Sequence, residues 1–129
     1  EERLTSMPGL PAVRLLAPAL ALLPVLSACV STPSNPSAAR ATVLAGIVSR
    51  ASACNAGYAR RATLDRFLQA ERARGATPEQ IAGARSTYVT ISEAQTINQG
   101  IRPEPCTVEE RATLRGQMNT VRANRFETL

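Results

Sequence analysis

The sequence predicts an all-α fold: a small bundle of about four helices held by one disulfide, preceded by an apolar leader and a flexible tether. Three observations carry this. Apolar residues recur at helical spacing in four segments, residues suited to helix caps stand just before the later ones, and no stretch sustains the apolar alternation of a strand.

The leader comes first. Leu15 to Ala28 holds no charge, and Arg14 directly precedes it. A basic residue followed by about 7 to 15 apolar ones is the pattern of an export signal. As a helix the run would reach only about 21 Å, short of a hydrocarbon layer of roughly 30 Å, and Pro18 and Pro24 would interrupt it. It is also apolar on every side, unlike the striped helix of a small core. The run ends in Leu26-Ser27-Ala28-Cys29, which resembles the lipobox of bacterial lipoproteins. The resemblance covers Met7 to Cys29. It implies cleavage before Cys29, lipidation of that cysteine with palmitate among the acyl groups, and a membrane-anchored place in the cell envelope facing the periplasm. Val30 stands where enteric lipoproteins kept in the inner membrane carry Asp, so the outer membrane is the favoured destination. Met7 is the natural start, because Glu1 to Ser6 is acidic and lacks Met.

The expected organisation is therefore a signal peptide over 1–28, a lipidated N-terminus and tether over 29–37, and a helical domain over 38–129. Val30 to Ser37 is rich in Ser and Pro, as a tether should be, and Asn35 or Ser37 is placed to cap the next helix. From Ala38, the residues Val43, Leu44, Ile47, Val48, Ala51 and Cys54 share one face, with Arg40 and Arg50 read as lying elsewhere, and Asn55 and Gly57 mark a stop. A second helix is expected from about Tyr58 to Arg74 on a stripe of Leu64, Phe67 and Leu68, with Gly75 as its C-cap. Glu71 falls on that buried stripe, within about 20° of Leu64, and so requires a cationic partner from another helix. Thr77-Pro78-Glu79-Gln80 reads as a capping box, opening a helix on Ile81, Ala84, Tyr88 and Ile91 that should end near Asn98 to Gly100. Arg102 to Pro105 must be extended. Thr107 to Glu110 repeats the capping pattern, and the last helix is expected to reach about Arg125 with Leu114, Met118 and Val121 inward.

With Cys29 lipidated, Cys54 and Cys106 remain for one disulfide in an oxidising compartment. Two thiols without any His fall short of a metal site, so no metal and no cofactor is expected. Catalysis is equally hard to assemble: the chain lacks His and Lys, and Glu109 and Glu110 diverge by about 100° on one helix, where favouring the positive end of its dipole is the simpler role. The prediction is a non-enzyme with no catalytic residue. All fifteen basic residues are Arg, and residues 29–129 keep thirteen of them against eight carboxylates, a net +5. Such a domain suits an anionic lipid or cell-wall surface, or an acidic envelope protein. Nucleic acid is excluded by compartment and by the lack of aromatics among the Arg residues. Arg111, Arg115, Arg122 and Arg125 form a stripe within about 80°. It reads first as a rim whose stems cover apolar surface and whose heads pair with Glu71 or Glu93, and second as a docking edge for an anionic partner. The expected function is a non-catalytic binding or structural role in the envelope, with a periplasmic chaperone or inhibitor-like domain as the alternative.

Overall fold

The computed structural model describes residues 34–129, which form α1 (Pro36–Ala53), α2 (Thr63–Ala73), α3 (Pro78–Ile101), α4 (Val108–Arg122) and a closing 3-10 turn, Phe126–Thr128. The described residues are all-helical, without a strand, and Cys54 is bonded to Cys106. The leader, Cys29 and the lipidation and signal-peptide expectations lie outside the described residues.

Asn35 opens the domain. Its Oδ1 accepts the Ala38 N–H at 3.0 Å, its Nδ2 donates to the Gln80 carbonyl at 3.1 Å, and Pro36 fills the first helical turn, where its missing N–H costs nothing. The expected tether over 29–37 therefore overruns the helix start, because Asn35-Pro36-Ser37 is a cap followed by the first turn. Asn35 also ties the head of α1 to the head of α3, and Ser49 and Ser52 near the end of α1 share a groove with Gln95, Thr96 and Gln99 of α3. These two helices thus run in the same direction. α4 runs against α1, since Cys106 before its start is joined to Cys54 after the end of α1, while Val121 near its end packs with Ala41 and Leu44.

The core has two parts. Ala41, Leu44, Phe67, Leu68, Ile81, Ala84, Val121 and Phe126 fill one; Ala51, Cys54, Ala56, Leu114 and Met118 fill the other, with Ile47 and Val48 packed against both. Phe67 and Phe126 meet edge to face, centroids 5.7 Å apart, each ring worth about 2 to 3 kcal/mol of burial.

Three boundaries differ from expectation. α2 starts at Thr63, not Tyr58, because Asn55 (φ 51°) and Gly57 (φ 143°) turn the chain and seat it on α4, where a Cβ on Gly57 would lie 3.1 Å from that of Met118. α3 continues to Ile101, one residue past the expected Asn98–Gly100 limit, and stops before Pro103. α4 ends at Arg122, since Asn124 takes φ 58° and reverses the chain so that Phe126 returns under the bundle; Arg125 is outside the helix.

Candidate functional site: cross-paired arginines and a basic face

Glu71 is the most telling side chain. It is 0% exposed, although it is ionisable. Arg40 of α1 grips both carboxylate oxygens, Nε to Oε1 at 2.8 Å and Nη2 to Oε2, and Ser37 Oγ donates to Oε2 at 2.8 Å. The Arg40 hydrogen bonds, opposed by burial, hold the Glu71 carboxyl below its ordinary range, and the same pairing raises Arg40. The expected cationic partner is therefore real, but it comes from α1 and not from the last helix. Its signal was present in the sequence: Arg40 is four residues from Leu44 and lies within about 40° of it on the wheel.

At the opposite end of α1, Arg50 holds Glu110 of α4 through two bonds, Nε to Oε1 at 2.6 Å and Nη2 to Oε2 at 2.9 Å. It also donates to the carbonyls of Glu104 and Pro105, both at 3.3 Å, so the extended segment before Cys106 is fixed by one guanidinium. Glu110 is held below the usual carboxylate range by that grip. The expected second capping box is half formed for this reason: Thr107 Oγ1 accepts the Glu110 N–H at 3.0 Å, while the Glu110 carboxylate goes to Arg50. Sulfurs of Cys54 and Cys106 lie within 4.8 Å of a Glu110 oxygen. Both sulfurs are consumed by their bond and Arg50 occupies the carboxylate, so this trio acts as a clasp between α1 and α4.

A third pair crosses elements at the surface, Asp65 of α2 with Arg85 of α3 at 2.9 Å. Taken together, the carboxylates of Asp65, Glu71 and Glu110, all on α2 or α4, are neutralised by arginines of α1 or α3. Arg60, Arg61, Arg66, Arg72 and Arg74 around α2, and Arg111, Arg115, Arg122 and Arg125 around α4, keep their charge, with no carboxylate partner among the described residues.

The expected four-arginine stripe is divided. Arg111 is half-buried, and its Nε donates to the Cys54 carbonyl at 2.9 Å, closing the end of α1. Arg115 and Arg122 are exposed on the same edge of α4, and Arg125 is exposed beyond the helix end. None of the four pairs with Glu71 or Glu93 among the described residues, which corrects the rim reading as it was framed. Sequence reasoning missed Arg60, Arg61 and Arg66, because the helical wheel treats one element at a time and these belong to another.

A groove of about 390 Å³ opens beside the end of α3, lined by Gln95, Asn98, Gln99, Ile101, Arg102 and Glu104. Its amides can donate and accept hydrogen bonds but cannot exchange protons near neutral pH. No protein-family model matches the chain, and no curated protein or solved structure gives a match.

Proposed function

We propose that this chain is an exported lipoprotein, anchored to a membrane of the cell envelope through lipid on Cys29, whose helical domain works by binding and not by catalysis. The observation that carries the reading is the Cys54–Cys106 bond. A structural disulfide persists in an oxidising compartment, and Leu15 to Cys29 is the segment of this chain suited to reach one. The most buried carboxylate among the described residues, Glu71, is spent on a structural ion pair, which further favours binding over proton transfer.

Metabolic labelling with palmitate and membrane fractionation test the anchor. Wild type is expected to take label and sediment with membranes, outer membrane foremost, while Cys29→Ser takes none. An unlabelled, soluble wild type refutes the reading. The chaperone-like alternative draws on Val89, Ile97 and Ile101 of α3, which are 42%, 60% and 71% exposed. It requires that Ile97→Ser and Ile101→Ser together weaken suppression of aggregation of an unfolded client.

A further inference from the structure

We infer that one flank of the bundle, built from Arg60, Arg61 and Arg66 beside Arg115 and Arg122, docks on an anionic phospholipid surface. The inference deepens the proposed function and rests on it, since the anchor at Cys29 supplies the membrane. Asn35 lies six residues beyond Cys29, so the chain between them spans at most about 21 Å and keeps the domain near the headgroups.

The flank is assembled by packing. On α4, Gln117 and Thr120 border α1 in a groove with Val43 and Ile47. Leu114, Met118 and Val121 point inward. Arg115 and Arg122 therefore occupy the edge away from α1, within about 20° of each other on the wheel. Gly57 sits against Met118 beside that edge, and Arg111 reaches the Cys54 carbonyl across it, so the 55–62 segment with exposed Arg60 and Arg61 runs along the same edge. On α2, Asp65 turns to Arg85 of α3, and Arg66, about 100° from Asp65 on the wheel, is exposed without a carboxylate partner among the described residues. Among the described residues these five arginines have no carboxylate partner, while Asp65, Glu71 and Glu110 are taken by arginines of α1 and α3.

A lipid surface suits this flank better than an acidic protein does. Protein interfaces are held by buried aromatic and apolar anchors inside a polar rim. The exposed positions near these arginines on their own segments include Ala62, Gln69, Ala112, Gly116 and Asn119, small or polar, and one carboxylate, Asp65, which is paired with Arg85. Large exposed apolar side chains lie on α1, on α3 and at the head of α4, and Tyr58 alone joins the 55–62 segment. A Tyr among Arg residues matches the headgroup level, where a ring with a polar tip and cationic side chains both reside.

The test is flotation of the full chain with vesicles of phosphatidylcholine alone, or with roughly a third phosphatidylglycerol, in about 0.1 M salt. Four forms are compared: wild type, Cys29→Ser, all five arginines changed to Gln, and all five changed to Lys. Wild type is expected to favour the anionic vesicles by at least about tenfold, falling toward parity as salt rises. The Gln set should show near parity with an unchanged helical spectrum, and the Lys set should keep the preference, because headgroup attraction needs charge. Cys29→Ser should bind both vesicles less while keeping the ratio; if it binds neutral vesicles as wild type does, the anchor reading fails while the ratio still reports on the flank. Wild-type parity between the two vesicles overturns the proposal, whether or not the Gln set folds. Parity combined with retention on polyglutamate resin that the Gln set loses assigns the flank to an acidic protein and equally overturns it.

Discussion

Glu71 carries a large consequence for one side chain, because a buried carboxylate is tolerated only with its partners in place. Glu71→Ala leaves the Arg40 guanidinium facing an emptied site and is expected to cost about 3 to 5 kcal/mol in urea titration. Glu79→Ala, in the exposed first turn of α3, should stay within about 0.5 kcal/mol. Equal midpoints for the two would refute the buried pair. The same site sets the acid response. Arginine hydrogen bonds hold both Glu71 and Glu110 below the ordinary value, about 4.3 for an unfolded Glu. Below that value the unfolded chain binds more protons than the folded one, so acid draws the equilibrium toward unfolding. Stability from these carboxylates is complete above the unfolded value and is lost as pH falls through the folded one. The urea midpoint should be level from neutral pH to about 5 and drop below about 4. Glu71→Gln should begin lower at neutral pH and drop less steeply.

At the level of elements, the disulfide is the principal brace, since it closes a loop with a sequence separation of 52 between the end of α1 and the start of α4. Loop entropy assigns it about 4 kcal/mol, so Cys54→Ala with Cys106→Ala should lower the unfolding free energy by about that amount while the helical spectrum in water stays close to wild type. Helix number, both threonine caps, the Gly75 turn and the cysteine pairing were legible in the sequence because each is a local or combinatorial signal. What escaped was what tertiary contact decides. Tyr58 to Ala62 has helical composition, yet the seat of Gly57 on Met118 holds it out of α2. Glu110 completes a capping pattern on paper, but the Arg50 fork competes for its carboxylate and wins with two charge-assisted bonds. Phe126 sits past the last helix and owes its burial to a single left-handed residue, Asn124.

Over the whole molecule, charge and support are separated. Arg111→Gln should lower the melting temperature, because it strips the bond to the Cys54 carbonyl, whereas Arg115→Gln with Arg122→Gln should leave it nearly unchanged. A thermal melt of the two variants distinguishes the brace from the free edge, and an equal fall in both would refute that division. The disulfide has a further, mechanical result. Because α4 runs against α1, a pull applied between Asn35 and Leu129 peels the two helices apart from that end, and once they give way the load passes at Cys54 directly into the chain of α4, bypassing everything between. A fully drawn chain without the bond would lengthen to about 330 Å, but with it the 52-residue span drops out of the load path and the limit is about 150 Å. Under such tension α2 and α3 stay outside the load path however far α1 and α4 are drawn out.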